Sequence, residues 1–299
     1  MRFEKWQALG NDYLIIEHDE LPFELTPARV RRLCEGHFGV FADGVLLLSR
    51  SQNAEYVADL RIYNPDGSEA ELSGNGAREA IMYLRHRGWT EDDEFSISTA
   101  AGPIRPQITG PHTCRVDMGR ASLTSKDFPG GPPDGRGELP IDNPVLATVS
   151  FQHVSIGNPQ CAIRLTSLAA LDALDLSVFG PQIEGHERFP NRTNVSWYTE
   201  IETPDPTVRA ERARIRARIF ERGVGETLSS GTGATGAAIA HVLSRGGAGE
   251  QGTQVLVVLD GGELEVEVGE DLRVNLTGWA RPVFDGRLSD DFVKELNET

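Results

Sequence analysis

Two five-residue segments of this 299-residue chain have the makings of a ligand site. Ser73-Gly74-Asn75-Gly76-Ala77 and Ser230-Gly231-Thr232-Gly233-Ala234 share the pattern Ser-Gly-x-Gly-Ala and lie 157 positions apart. Each falls where a helical pattern begins, so each sets a hydroxyl beside backbone N–H groups that have no partner inside the helix. Those donors and the helix dipole attract an anion, and the glycines let a ligand approach the backbone closely. Taken singly, either segment is an ordinary capped turn. Two at equivalent places point to one carboxylate cradled from two sides.

Other polar residues suit the same ligand. Asn11, Asn64, Asn158 and Asn194 stand in apolar or glycine-rich surroundings. A buried amide needs partners, which the carboxylate and ammonium of an amino acid would supply. Glu221 and Arg222 form an adjacent pair able to grip an ammonium and a carboxylate. Each of these residues alone also fits a turn or a solvated surface.

The elements that must position these groups repeat as well. Arg61-Ile62-Tyr63-Asn64 matches Arg218-Ile219-Phe220-Glu221 at the same offset, and Gly10-Asn11-Asp12 is echoed by Gly157-Asn158-Pro159. The stretches Val57 to Tyr63 and Arg214 to Phe220 have strand character, and each leads into a glycine-bearing turn, Asp66-Gly67 or Arg222-Gly223. Helical spacing follows over Ala77 to Arg87, with Gly88 as a stop, and over Ala234 to Arg245, with Gly246 and Gly247 beyond. Each half thus reads strand, turn, Ser-Gly-x-Gly, helix. Thr124 to Asn143, rich in Pro, Gly and Asp, predicts a loop or domain edge. Gln254 to Leu276 predicts strands with a hairpin at Gly261-Gly262.

Composition excludes several classes. The formal net charge of -16 disfavours a phosphate-backbone partner, and no basic amphipathic stretch suggests a membrane surface. Neither a secretory leader nor an apolar run of spanning length is expected. Cys34, Cys114 and Cys161 make no zinc or disulfide pattern, as for reduced thiols in a cytoplasmic protein. Lysine occurs only at positions 5, 126 and 294, none in a setting suited to a pyridoxal anchor. With no Rossmann or Walker signature either, an enzyme of this sequence is expected to work with side chains alone, without cofactor or metal.

Seven motifs together resemble those of the diaminopimelate epimerases: Gly10-Asn11-Asp12, Ala42-Asp43-Gly44, Asn64 to Ser68, Gly74 to Arg78, Gly157-Asn158-Pro159, Asn191 to Val195, and Glu221 to Thr227 with Gly231-Thr232-Gly233. The match runs from Phe3 to about Gly286. It implies an α+β fold of two pseudo-symmetric domains related by internal duplication. Each would be a mixed or antiparallel sheet or barrel around a central helix, with the active site in the interdomain cleft. The expected halves are residues 1–119 with 277–299, and 120–276.

By the same resemblance Asn11, Asn64, Asn194, Glu221 and Arg222 hold the distal end of a diamino diacid, with Asn158 and Gln160 nearby in the substrate site. Gly74, Asn75, Gly231 and Thr232 hold the α-carboxylate. The family uses neither metal nor organic cofactor, is commonly homodimeric, and employs one cysteine as base and another as acid. Ser73 and Ser230 stand where those cysteines would be. A serine hydroxyl is a far weaker acid than a thiol of pKa about 8.5, so it needs an adjacent base, and neither histidine nor lysine is close in sequence. Gln160 replaces a usual histidine, and Phe41 a usual glycine. Several accounts stay open: slow epimerisation with serines, a paralogue or engineered variant that binds without turnover, and a lyase acting on β-substituted amino acids.

Overall fold

The computed structural model describes residues 1–71, 73–141, 148–202 and 212–299. In chain order the elements are β1 (Arg2–Ala8), β2 (Asn11–Glu17), α1 (Pro27–Cys34), β3 (Val45–Arg50), β4 (Ala58–Tyr63), β5 (Glu69–Ala70), α2 (Gly74–His86), β6 (Ile97–Thr99), β7 (Gly102–Ile104), β8 (Pro106–Gly110) and β9 (Thr113–Arg120). Next come β10 (Arg136–Pro140), β11 (Thr148–Ser155), β12 (Pro159–Arg164), α3 (Leu168–Asp172), α4 (Leu176–Glu184), β13 (Asn194–Glu200), β14 (Ala213–Glu221) and β15 (Gly225–Thr227). The chain ends with α5 (Gly231–Ser244), β16 (Thr253–Leu259), β17 (Gly262–Val268), β18 (Arg273–Trp279), β19 (Arg281–Arg287) and α6 (Asp290–Glu298). Two compact units result, Met1–Asp117 with Gly278–Thr299, and Met118–Thr277.

The sheet of the first unit runs β19-β1-β2-β3-β4-β6-β7, with β5 beside β4. From β1 to β7 its successive pairings are antiparallel, parallel, antiparallel, parallel and antiparallel. The second unit orders β10-β11-β12-β13-β14-β16-β17-β18, with β15 beside β14. From β11 to β17 it repeats the same alternation. Five matched orientations in one order are the structural trace of the duplication read from the sequence. The fold is α+β in two related halves.

Each half wraps its sheet on a helix that follows the Ser-Gly motif. Helix α5 packs against β11, β12, β13, β14, β16 and β17, and its residues from Gly233 to Val242 are all buried. A helix enclosed on every side needs no polar face, which is why Gly-Ala-Thr-Gly-Ala-Ala-Ile-Ala shows no amphipathic stripe. Its glycines admit the neighbours: a Cβ at Gly233 would lie 2.8 Å from the Ile219 side chain, and one at Gly236 2.8 Å from Gln160 Cβ. Helix α2 packs on β1, β2, β3 and β19. Among the described residues no helix is long and apolar enough to cross a membrane.

The strand–turn–helix readings fall on β4, β14, α2 and α5, although both helices begin three residues earlier than the apolar spacing suggests. The serine caps, not the first apolar residue, set those starts. Gly67 and Gly223 adopt the left-handed backbone their turns require, with φ of 87° and 78°. The hairpin at Gly261-Gly262 joins β16 to β17. The expected loop from Thr124 to Asn143 needs correction, because Arg136–Pro140 forms β10 against β11. An edge strand tolerates Gly137 and Pro140 where a central one would not. Positions 142 and 143 of that stretch lie outside the described residues.

Candidate functional site

Each unit gathers candidate residues at the N-terminus of its buried helix. In the first, Ser73 caps α2 from extended backbone, with φ -127° and ψ 121°. Its Oγ accepts the Gly76 N–H at 3.1 Å and the Tyr13 hydroxyl at 3.2 Å. Gly44 makes room for that tyrosine, because a Cβ there would stand 2.6 Å from the ring and 2.2 Å from the Tyr63 carbonyl oxygen. Asn75 donates to Asn11 Oδ1 at 3.2 Å, and Asn11 donates to Asp43 Oδ2 at 2.7 Å. Asn64 donates to Ser68 Oγ at 2.9 Å within its own turn.

Phe41 now has a physical setting. Its φ is 62°, the left-handed region that glycine occupies without strain. The Lys5 ammonium holds the segment by donating to the Phe41 carbonyl at 2.5 Å, pairing with Asp12 at 3.2 Å and lying 5.4 Å from the ring centroid.

Below the cap, α2 buries two charged residue types in succession. Arg78 donates to Asn75 Oδ1 at 2.5 Å and to the Gly74 carbonyl at 3.0 Å, which steadies the Asn75 amide. Among the described residues neither carboxyl oxygen of Glu79 has a side-chain hydrogen-bond partner, and the Tyr13 backbone N–H offsets its burial only in part. Burial pushes the Glu79 pKa well above the usual carboxylate range, against the pull of the Arg78 charge. A carboxyl so raised favours folding while protonated, and that contribution is lost as pH rises through its folded-state pKa. The melting temperature should therefore fall as pH rises from the ordinary carboxylate value towards the raised one. Glu79→Gln should flatten that fall, and an unchanged slope in thermal denaturation would refute the assignment.

In the second unit Ser230 caps α5 with nearly the same backbone, φ -145° and ψ 123°. Its Oγ accepts the Gly233 N–H at 3.2 Å and donates to Glu221 Oε2 at 3.0 Å. The Thr227 hydroxyl donates to the other oxygen, Oε1, at 2.9 Å. Burial raises the Glu221 pKa above the ordinary value, while the Thr227 and Ser230 hydroxyls pull it back. The result is a carboxylate of enhanced basicity directly on a serine hydroxyl.

The surrounding amides form a chain. Asn158 donates to Thr232 Oγ1 at 3.2 Å and accepts from buried Gln160 at 2.8 Å. Asn194 donates to the Pro159 carbonyl at 3.0 Å and accepts the Arg222 backbone N–H at 2.9 Å. Glu184, which the sequence reading passed over, anchors the same turn. Its Oε1 accepts the Gly223 N–H at 2.6 Å and pairs with Arg192 at 2.7 Å. The sequence offered no motif to find it by.

Glu221 and Arg222, read as one gripping pair, have separate surroundings. Glu221 faces Ser230 and Thr227, whereas Arg222 is exposed and donates to the Asn191 carbonyl at 2.9 Å. Gly74 and Asn75 begin α2, and Gly231 and Thr232 begin α5, so all four lie at helix starts. Among the described residues no three His, Cys, Asp or Glu side chains converge in a metal-binding group.

The family model described as diaminopimelate epimerase matches residues 3–124 and 152–281. A diaminopimelate epimerase from Pelotomaculum thermopropionicum is 38% identical over 294 residues, covering 96% of this chain and 98% of its own. Diaminopimelate epimerase 2 from Nostoc sp. is 36% identical over 296 residues, covering 97% and 96%. Two solved structures share the fold at low identity. A Bacillus anthracis phenazine biosynthesis protein of the PhzF family gives a TM-score of 0.69 at 19% identity, covering 97% of this chain and 99% of its own. A hydroxyproline epimerase from Agrobacterium vitis gives 0.64 at 15% identity, covering 100% and 98%.

Proposed function

The chain belongs to the diaminopimelate epimerase family, and on that premise we propose that it is a cofactor-independent isomerase inverting the α-carbon of a diamino diacid. LL-diaminopimelate is the substrate to which this reading commits, on the route to lysine and peptidoglycan precursors. Ser73 and Ser230 serve opposite faces of that carbon. The N–H groups at Gly74, Asn75, Gly231 and Thr232 receive the α-carboxylate, since helix starts favour anions. Asn11, Asn64, Asn194 and Arg222 hold the distal amino-acid end, with Asn158 and Gln160 nearby in the substrate site. The family resemblance further suggests a cytoplasmic homodimer.

The observation that carries this reading is the hydrogen bond from Ser230 Oγ to Glu221. A serine takes up a proton usefully only when a base relieves it of its own. Glu221 is such a base, held in place by Thr227 and made more basic by burial. Turnover should still be slow beside a thiol pair, because almost no serine is alkoxide near neutral pH.

The test is proton NMR of LL-diaminopimelate incubated with the protein in D2O. Deuterium at Cα together with the meso isomer is the expected result. Saturable binding with neither signal would overturn the epimerase reading in favour of a silent binding protein. A keto acid formed from β-hydroxy amino acids would instead identify a lyase.

A further inference from the structure

The two capping serines differ in the direction of their hydrogen bonds. A hydroxyl has one proton to give and two lone pairs with which to accept. Ser230 gives its proton to Glu221 and accepts one from the Gly233 N–H. Ser73 accepts twice, from the Gly76 N–H and from the Tyr13 hydroxyl. Among the described residues no group accepts the Ser73 proton, which is left for a ligand. Tyr13 is buried on β2, its ring passing where only a glycine at position 44 allows.

Resting on the epimerase reading, we propose that Ser73 is the proton donor and Ser230 the proton acceptor of the pair, with Tyr13 the positioning residue that sets Ser73 to donate. In the first step the Cα–H bond breaks and its electron pair stays on the substrate. The proton goes to Ser230 Oγ as the Ser230 proton goes to Glu221, so Ser230 ends neutral and Glu221 protonated. In the second step Cα takes the Ser73 proton on its other face. The Ser73 oxygen takes the phenolic proton of Tyr13, which is left as tyrosinate. Phenols, with ordinary pKa near 10, are far stronger acids than aliphatic alcohols, so this transfer runs downhill. A proton then passes from Glu221 to Tyr13 through solvent, and the protein returns to its starting state.

The variant Tyr13→Phe removes one oxygen and leaves the ring. From the isomer whose α-proton faces Ser230, that proton can be exchanged for deuterium and returned to the same face by Ser230 and Glu221 alone. Inversion requires Ser73. Each stereoisomer is therefore incubated in turn in D2O, and exchange with retention is measured separately from inversion. Inversion should fall about a hundredfold, the lower end of acid–base contributions, while exchange with retention holds for one isomer. An equal loss of both would mark Tyr13 as merely structural and overturn the proposal.

A second measurement needs no turnover. In Ser73→Cys the thiol at position 73 is titrated by its rate of alkylation with iodoacetamide, with and without Tyr13→Phe. The native thiols stay silent, since burial pushes Cys34 and Cys114 up to about 12 and raises Cys161 well above its ordinary value. A hydroxyl donating to the thiolate favours the charged form, so losing it should raise the titration midpoint by about one pH unit. An unchanged midpoint would overturn the role of Tyr13 whether or not any amino acid is turned over. A shifted midpoint in a protein that exchanges no α-proton would sink the epimerase reading while upholding the Tyr13 contact.

Discussion

Glu221→Gln should lower α-proton exchange by about two to three orders of magnitude, within the range of positioned general bases. The substitution keeps the shape and the ability to accept from Thr227, but its amide donates where the carboxylate accepted. Ser230 would then lose the base that takes its proton. The pH profile supplies an independent check. Burial raises the Glu221 pKa, so the ionised form that accepts protons is lost as pH falls through a value above the ordinary one. The acid limb of the rate should begin correspondingly high, and in the variant its amplitude should vanish.

Stability separates this effect from unfolding. A carboxyl with a raised folded-state pKa favours folding below the ordinary value of 4.5 and loses that contribution as pH rises through the folded-state pKa. At neutral pH the amide should therefore melt no lower than the parent. Loss of exchange accompanied by an equal or higher melting temperature is the expected pair of results. Undiminished exchange would remove Glu221 from the mechanism.

Replacing both serines together, Ser73→Cys with Ser230→Cys, should raise the epimerisation rate by about a hundredfold or more. A thiol of ordinary pKa about 8.5, lowered further at a helix N-terminus, supplies thiolate at neutral pH where serine supplies almost no alkoxide. Single replacements should fall well short, since each face of the carbon needs its own group. The gain has a structural cost, because both hydroxyls are N-caps bonded to Gly76 and Gly233. Losing a serine cap costs about 0.5–2 kcal/mol, so the double variant should melt several degrees lower. In that background Glu221→Gln should cost far less than in the serine protein, a coupling that a double-mutant cycle measures directly. No gain in a folded double variant would sink the serine-for-thiol account.

Much of this architecture is local, which is why it can be read from the chain. The repeated strand, turn and capped helix are written within about thirty residues in each half, and glycines at positions needing a left-handed backbone mark their ends. What escaped the reading was direction and distance. Glu221 and Arg222 are neighbours in sequence, but Glu221 ends β14 whereas Arg222 opens the turn that follows it. One can meet Ser230 while the other meets solvent. Neither histidine nor lysine is near Ser230 in sequence, and the carboxylate on its hydroxyl, Glu221, reads in the sequence as an ammonium partner beside Arg222. Tyr13 meets Ser73 from 60 positions away, and nothing in Asn11-Asp12-Tyr13 announces that contact. Strand β10 was hidden because its edge position excuses residues that ordinarily break strands.

The C-terminal stretch gives the order of events during synthesis an unusual form. Strand β19 pairs with β1, Arg287 opposite Arg2, and Arg29 donates from α1 to the carbonyls of Leu296 and Asn297 in α6. Leu288 and Leu296 lie in the same apolar cluster as Phe3, Leu14 and Val30. The first unit therefore closes only when residues 278–299 have been made, whereas Met118–Thr277 is one uninterrupted segment. On a ribosome, where domains generally form as units in order of emergence, the later segment can finish ahead of the earlier one. Until then β1 offers an unpaired edge, the kind of surface that recruits other chains. Slow elongation through the codons for β19 and α6 would lengthen that exposure, and nascent-chain aggregation would be the place to see it.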